Sequence, residues 1–501
     1  MGEERRREWI VQIHLQLKSS PYYVINHKYA HSYEVEKANS YYSSSRRVAA
    51  VYPSHLPKRA KRELLGGVDW ISQLPREILG AILSRLTLEE AGRTSVLSRS
   101  WRHLWAFLTT KLNFGAWKSR DEGVNIGSPW YARRVNRALK LHLGAFVLDK
   151  FIIRFYPEEE SRAAYYGDLH SWVNFAFQKG VKRLELDLAS DRSRLYRWYA
   201  FPSVEKLRSR TSNTRLQPFG FCHLITLCLK CVNITGKVLE HFLGNCPLLE
   251  QLQVMSSDHL TNLKVAGPSL KLKWLGISRC ENLKDLEISA VNLASLSFTY
   301  FGQASRVILR NVPVLSELCI EGDYIESVIH QPTDHLSYIR QLERLKLKRL
   351  FTGFGRYIAF PPPYPELRCL KQLELELPKI HGENLIFYSP LYQSTFPCND
   401  HSEVLSAMPN DDRYARVAPE YHHRCLQVVE LVGFSGHPDE VEFLSYWLVI
   451  AVSLGKLVIN PRAPSVVAMG LTYEDTKIRA ARECAWQLQR KVPAKVKLVV
   501  L

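Results

Sequence analysis

The spacing of apolar residues changes character three times along the chain. Up to residue 66 no period persists: Val11, Ile13, Leu15 and Leu17 alternate as in a strand, but the rest of the segment reads as mostly unstructured. From residue 68 to 111 the period becomes helical. Ile78, Leu79, Ile82, Leu83 and Leu86 line one helix face, with Pro75 suited to the first turn and Glu77 near its positive end. Thr87-Leu88-Glu89-Glu90 predicts a capping box for a second helix, and Gly92 inside that helix costs about 1 kcal/mol against Ala. Ser98 is placed to cap a third helix, in which Trp101, Leu104, Trp105 and Leu108 follow i, i+3, i+4, i+7. Three helices this short bury little on their own, so the segment is expected to dock onto a partner.

Beyond residue 180 one template recurs. L-x-x-L-x-L, with Val, Ile or Phe allowed, starts at Val181, Leu224, Leu249, Leu260, Leu272, Leu283, Leu293, Leu315, Leu342, Leu370 and Leu426. Many intervals are 22 to 28 residues, the length of leucine-rich solenoid repeats. Between Leu249 and Leu293 the spacing drops to 10–12, which leaves no room for a helix and predicts two short strands per turn, one on each side of the solenoid. Elsewhere a helix fits, as over 238–243 before Cys246-Pro247. Each repeat buries its leucines only by stacking on its neighbours, so the array is expected to fold as one unit. Toward the C-terminus, 426–431 reads as a strand, Gly433 to Gly436 as a turn, and Asp439 to Leu454 as an amphipathic helix with Val441, Leu444, Leu448 and Val452 on its apolar face. A strand at 456–459 stopped by Pro461, a helix at 473–490 and a final strand at 495–501 follow.

Composition narrows the class. Hydrophobic residues make up 46% and charged residues 23%, which excludes wholesale disorder. The longest apolar run, Tyr446 to Val452, is far short of the roughly 20 residues a bilayer span needs, so no membrane partner is expected. The opening MGEERRREWI has no apolar core of a secretory signal, and Arg6 stands where myristoylation wants Ser or Thr. The 10 cysteines are therefore expected to be reduced thiols, in nucleus and cytoplasm. Lys+Arg total 67 against 49 Asp+Glu, a net charge of +18, which invites an acidic partner. Residues 1–66 hold 12 Lys+Arg against 6 acidic residues and end in Lys58, Arg59, Lys61 and Arg62, a cluster of the nuclear-import kind. Ser190 to Gln217 holds seven basic residues against two acidic and reads as a solvated insertion.

Catalytic chemistry is not legible. There is no phosphate-binding glycine loop, no dinucleotide fingerprint and no H-E-x-x-H, and Gly433-Phe434-Ser435-Gly436 lacks the spacing of a nucleophile elbow. Cys228-x-x-Cys231, with Cys222, His223, His241 and Cys246 nearby, raises the question of zinc. No second pair completes four ligands, and a repeat strand already explains the leucines here, so neither metal nor other cofactor is expected. His422-His423 reads as a solvated pair. In each repeat the residue between the last two apolar positions points to the exposed strand face: Glu185, Cys228, Gln253, Lys264, Gly276, Glu287, Ser297, Cys319, Lys346 and Glu374. Their mixed charge is not a phosphate-tracking stripe, so nucleic acid is not the expected partner.

Leu74-Pro75-x-x-Ile78-Leu79-x-x-Ile82-Leu83-Ser84-x-Leu86 and Arg93-Thr94-Ser95-Val96-Leu97-Ser98-Arg99-x-Trp101-Arg102-x-Leu104-Trp105 closely resemble the F-box, in its plant form. The repeats, including Cys246-Pro247-x-Leu249-Glu250, resemble the irregular leucine-rich repeats of those proteins. Cys425-Leu426-x-Val428-Val429-Glu430-Leu431-x-Gly433-Phe434-Ser435-Gly436 through Ile459-Asn460-Pro461 resembles the plant FBD module. Gly92, where the family usually has Ala, is a mild departure. The resemblance covers about residues 68–501, leaves the basic extension (1–66) unexplained, and implies an α+β chain: a three-helix F-box (68–111), an irregular α/β leucine-rich-repeat solenoid with loop insertions (112–420), and a C-terminal FBD cap (421–501). It further implies a non-catalytic substrate receptor of an SCF-type ubiquitin ligase. The F-box would dock a Skp-type adaptor, and through it cullin and a RING subunit, while the repeats hold an unknown target protein. Leu74, Pro75, Ile78, Leu83, Leu97, Ser98 and Trp101 are the expected adaptor contacts. Leu74 and Pro75 precede the first helical face and have little internal work, Leu83 suits core and contact equally, and Trp101 is a large rigid anchor. The alternatives are a repeat scaffold acting outside the ligase and a basic nuclear protein that binds nucleic acid.

Overall fold

The computed structural model describes residues 74–99, 101–115, 128–143, 147–157, 159–189, 199–205, 222–267, 270–300, 306–322, 336–348, 367–376, 422–436, 438–462 and 475–501. The N-terminal extension with Lys58, Arg59, Lys61 and Arg62, and most of the basic stretch from Ser190 to Gln217, lie outside the described residues. Two units divide the chain. One takes in the described residues up to Asn113 together with Arg137–Leu148, the other Phe114–Asn136 with Asp149–Leu501.

The first unit holds α1 (Arg76–Leu83), α2 (Leu88–Arg93) and α3 (Leu104–Leu108), linked by 3-10 turns at Thr94–Val96 and Trp101–His103. Pro75 caps α1 from just outside it, one residue earlier than the sequence suggested, and its carbonyl accepts from the N–H groups of Ile78 and Leu79 at 3.0 Å. The expected capping box opens α2: Thr87 Oγ1 accepts from Glu90 N at 3.3 Å, and Glu90 Oε2 accepts from Thr87 N at 2.9 Å. In chain order β1 (Lys111–Phe114) and α4 (Ser128–Leu141) come next.

The second unit opens with β2 (Lys150–Arg154), α5 (Tyr166–Gln178), β3 (Arg183–Asp187), β4 (Tyr199–Ala200), β5 (Thr226–Lys230), β6 (Val232–Asn233), α6 (Gly236–Asn245) and β7 (Gln251–Met255). Then come β8 (Asn262–Ala266), β9 (Trp274–Ser278), β10 (Asp285–Ser289), β11 (Ser295–Tyr300), β12 (Arg306–Arg310) and β13 (Glu317–Gly322). α7 (Leu336–Ile339), β14 (Arg344–Lys348), β15 (Gln372–Glu376), β16 (Val428–Val432), α8 (Pro438–Ile450), β17 (Lys456–Asn460), α9 (Asp475–Gln487) and β18 (Lys497–Val500) complete it. The main sheet runs β2-β3-β5-β7-β9-β11-β13-β14-β15-β16-β17-β18, and β8, β10 and β12 form a separate parallel sheet. That alternation realises the two strands per turn expected from the short spacing.

Register is held by one buried ladder. Leu184, Leu227, Leu252, Leu275, Leu296, Leu318, Leu345, Leu373, Val429, Leu457 and Leu498 stand opposite one another across successive parallel strands, and all are buried. Slipping any strand by one residue would turn its leucines to the other face, so the ladder fixes the pairing. Several strands end on a left-handed residue that is not glycine: Cys231, Ser256, Arg279 and Asn311, at φ 48° to 58°. Cys231 N and Ser256 N still donate to the neighbouring strands, to Met255 O at 2.8 Å and Ser278 O at 2.9 Å, so each extends the ladder before the chain turns away. Gly433, at φ 84°, takes the same position after β16, and its N–H donates to Asn460 O at 2.7 Å.

Residues 421–501 carry the sheet onward: β16, β17 and β18 continue its register, with α8 and α9 in the connections. α8 ends at Ile450, short of the expected Leu454. Val441 and Leu444 are buried as anticipated, but Val452 follows the helix and is 39% exposed. Glu440, buried in the first turn of α8, accepts from Ser435 N and Gly436 N, each at 2.9 Å, which ties the glycine turn to the helix. His422-His423 is not a solvated pair. His422 is exposed, but His423 is 2% exposed, and its Nδ1 accepts from Leu426 N at 3.2 Å, closing the turn before β16.

A Cβ on Gly236 would fall 1.9 Å from the Asn262 carbonyl oxygen, a backbone atom that cannot swing aside, whereas nothing lies within 4 Å of one on Gly92. Gly236→Ala is therefore expected to cost at least about 2 kcal/mol, read as a lowered urea midpoint. Gly92→Ala is expected to strengthen α2 by about 0.5–1 kcal/mol, read as slower amide exchange across 88–93. The burial of His423 lowers its pKa, although a backbone hydrogen bond to Leu367 opposes the shift. As pH falls below the ordinary histidine value of about 6.5, the unfolded chain takes up a proton that the fold resists, so this contribution to stability is full above that pH and shrinks below it. His423→Gln is expected to flatten the fall in urea midpoint between about pH 6.5 and 5 relative to the parent.

Candidate interaction surfaces

The helical trio has a small core of its own. Leu79, Ile82, Leu83, Ala91 and Trp101 are buried together, with Leu74, Ile78, Leu86, Leu97, Leu104, Trp105 and Leu108 packed around them. Two of the seven expected contacts are thereby corrected. Trp101 is 0% exposed and Leu83 1%, so their surfaces are already spent inside the unit and neither can meet a partner directly. Trp101 is held from before its turn as well, since its N–H donates to Ser98 Oγ at 3.4 Å, the capping role the sequence suggested. Leu74, Ile78, Leu97 and Ser98 are half-buried and Pro75 is exposed, so these five keep accessible surface. Sequence reasoning missed two apolar side chains that stand further out, Val96 at 59% and Phe107 at 48% exposure. Helical periodicity pointed to neither: Val96 lies in a 3-10 turn, and Phe107 falls between the apolar positions of α3.

The second surface is the side of the main sheet away from the leucine ladder. The expected row splits in two. Glu185, Cys228, Gln253, Gly276, Ser297, Cys319, Lys346 and Glu374 do align across the main sheet and continue to Glu430. Lys264 and Glu287 stand opposite each other on the separate sheet, because every second strand of that stretch belongs to the other side. Nor is the row uniformly exposed. Glu185 is buried and accepts from Arg154 at 3.0 Å and Arg183 at 3.1 Å. Burial alone would raise its pKa, but the hydrogen bonds and charges of the two arginines outweigh it and leave the carboxyl below the ordinary range.

Beside this pair lies a recess of about 270 Å³, lined by Arg183, Thr226, Cys228, Gln251, Gln253 and Trp274. Cys228 Sγ donates to Gln253 Oε1 at 3.1 Å, and burial pushes its thiol up to about 11, which opposes the thiolate that a metal would need. Among the described residues no group of three or more His, Cys, Asp or Glu is placed to hold a metal ion. The indole of Trp274 lies over Gly276, where a Cβ would meet the ring at 2.5 Å. Farther along, Arg344 pairs with Glu317 and Lys346 with Glu374. Glu430 is left beside Glu374, and burial first and that like charge second raise its pKa.

Comparison with known proteins decides the family. A family model described as the LRR domain of At1g61320/AtMIF1 matches residues 139–501, and the F-box domain model matches 71–111. The chain belongs to the plant F-box/LRR family. The F-box/FBD/LRR-repeat protein At1g13570 of Arabidopsis thaliana is 29% identical over 211 residues, 41% of this chain and 49% of that protein. The FBD-associated F-box protein At5g38590 of the same plant is 25% identical over 402 residues, 78% of this chain and 93% of the relative. For At5g60610, also FBD-associated, the match is 25% over 410 residues, 76% and 96%. The match thus spans about half the length of some curated relatives and nearly all of others. In this F-box/LRR chain the leucine-rich match runs through residue 501, in keeping with the continuous register of β16 to β18.

Because Trp101 is core, Trp101→Ala is expected to cost about 3–5 kcal/mol and to collapse amide protection across 76–108. Val96→Asp, at an exposed position, is expected to leave that protection within about 0.5 kcal/mol of the parent.

Proposed function

We propose that this chain is the substrate receptor of an SCF-type ubiquitin ligase, with residues 68–111 docking a Skp-type adaptor and the repeats holding a protein target. The observation that carries the reading is the separation of roles inside the helical trio. Leu83 and Trp101 give it a core, while Leu74, Ile78, Leu97 and Ser98 are only half-buried and Pro75, Val96 and Phe107 are exposed. Exposed apolar residues such as Val96 and Phe107 favour a partner site, and Arg76, Glu77, Arg99 and Arg102 of the same segment are exposed as well. The family membership supports the same reading, and members of this kind act as non-catalytic adaptors. The outward sheet face suits a protein target better than a nucleic-acid backbone, because its row from Glu185 to Glu430 carries three acidic residues, one basic and five uncharged. The basic cluster of Lys58, Arg59, Lys61 and Arg62 supports nuclear import, and a chain with such a signal would work in nucleus and cytoplasm.

Leu74→Ala combined with Pro75→Ala is expected to abolish co-purification with the adaptor, since loss of anchor residues typically costs about 2–4 kcal/mol and two such losses weaken affinity by roughly a thousandfold. The measurement is a pull-down from cells paired with a thermal melt. Retained binding by a folded double variant defeats the receptor reading of this motif. Leu74 also packs on the core, so Pro75→Asp, at an exposed position, is run beside it and should likewise lose the adaptor without shifting the melt.

A further inference from the structure

Ion pairs bracket the middle of the main sheet on its outward side. At one flank Arg183 pairs with Glu185 at 3.1 Å, at the other Arg344 pairs with Glu317, and at the strand entries between them Lys273 pairs with Glu250 at 2.8 Å. The strands enclosed are β5, β7, β9 and β11. They place Thr226, Gln251, Trp274 and Ser295 in one outward row, and Cys228, Gln253, Gly276 and Ser297 in the next. Neither row holds an ionised group, since burial keeps the Cys228 thiol protonated. Adjacent strands lie about 4.8 Å apart, so this uncharged window is roughly 14 Å wide.

The recess of about 270 Å³ opens in this window. It is smaller than the roughly 300–1,000 Å³ of sites that enclose a small-molecule ligand, so it fits one inserted side chain of a larger partner. Its lining says which kind. The Trp274 indole lies over Gly276, which has no Cβ to push it away, and among the described residues no other ring or cation packs on it. Gln251 Oε1 accepts from Thr226 Oγ1 at 3.3 Å, and Gln253 Oε1 accepts from Cys228 Sγ at 3.1 Å. Both carboxamide oxygens are thereby used, and their N–H groups have no acceptor among the described residues. Arg183 Nε is buried and also lacks one. The recess therefore offers a flat ring and unused N–H donors. An aromatic residue in an extended peptide supplies the counterparts, a second ring and backbone carbonyl oxygens on either side of it.

We propose that this window docks an extended, uncharged segment of the target protein through one aromatic side chain, which enters the recess and stacks on Trp274 while neighbouring carbonyls accept from Gln251, Gln253 and Arg183. The proposal rests on the receptor reading and names the class of target segment. Offset or edge-to-face ring pairs gain more than the area they bury, and an N–H donor left unpaired in a dry contact is costly, so filling it adds to affinity. A charged side chain arriving here would lose its hydration and meet only charges already paired with each other. Nucleic-acid bases also stack on indoles, but their backbone asks for a groove of cations, and the two rows of the window hold none.

The test is selection of a phage-displayed library of random nonapeptides on the full chain, followed by fluorescence anisotropy with the labelled consensus peptide. Selected peptides are expected to carry Phe, Tyr or Trp at one fixed position and to be depleted of Asp, Glu, Lys and Arg beside it. Trp274→Ala is expected to weaken the consensus peptide about tenfold or more, and Trp274→Phe, which keeps a ring, less than about threefold. Gly276→Ala keeps the indole but pushes it from its seat, and should also lose about tenfold. It carries the test if Trp274→Ala lowers the urea midpoint, which is read on every variant. Trp486→Ala removes a more exposed indole, 54% exposed on α9, and should change affinity less than about twofold. The window is overturned if selection enriches no aromatic residue, if it enriches charged ones, or if the consensus peptide binds folded Trp274→Ala and Gly276→Ala as tightly as the parent. Equal losses in Trp274→Ala and Trp486→Ala overturn it too. Equal competition by a single-stranded oligonucleotide overturns the choice of a protein segment. Adaptor co-purification is read on the same preparations and should be unaffected by Trp274→Ala. Failure of the parent chain to bind adaptor would strike the ligase reading alone and leave the peptide result standing.

Discussion

The second unit depends on one constraint: the ladder of apolar residues from Leu184 to Leu498, stacked strand on strand. A single repeat has too little apolar surface to hold a turn of chain, and it gains that burial only from its neighbours. The ladder therefore fixes register, and register fixes everything else that recurs. It places the leucine N–H over its turn carbonyl, puts the left-handed residue at the strand end, and aligns the outward side chains into rows. Connections between strands can then vary freely in length and content, as the helices α6 and α8 and the strands β8, β10 and β12 do in equivalent places.

The helical trio solves the same shortage differently. Its core is built round one indole. Trp101 fills the space among Leu79, Ile82, Leu83 and Ala91, and removing that volume leaves nothing to replace it. A motif this small cannot both bury its largest side chain and offer it to a partner. The large residues hold the helices, and the smaller or peripheral ones, Pro75, Val96 and Leu97 among them, keep accessible surface.

Much of this was legible in the sequence because it is periodic. The leucine spacing gave the strands, and the drop to 10–12 residues gave the paired strands without helices. Thr87 and Glu90 gave the capping box. What could not be read needed knowledge of which strands are neighbours. Lys264 and Glu287 fit the same template as Gln253 and Gly276, yet belong to another sheet. Cys231 and Ser256 adopt a conformation that composition assigns to glycine, because a ladder hydrogen bond stabilises it there. The apolar stripe of the F-box marked Trp101 as important without saying which way it faces. His423 looked like a polar pair with His422, and only the fold shows that its ring replaces a carbonyl.

The same limit explains why the uncharged window was invisible. In chain order Lys264 and Glu287 interrupt it, and only the assignment of those two to the other sheet joins Cys228, Gln253, Gly276 and Ser297. The charges of the outward face are paired within the fold. Arg154 and Arg183 are committed to Glu185, Arg344 to Glu317 and Lys346 to Glu374. A partner arriving at those charges would have to displace an existing ion pair and gain only the difference between two similar interactions.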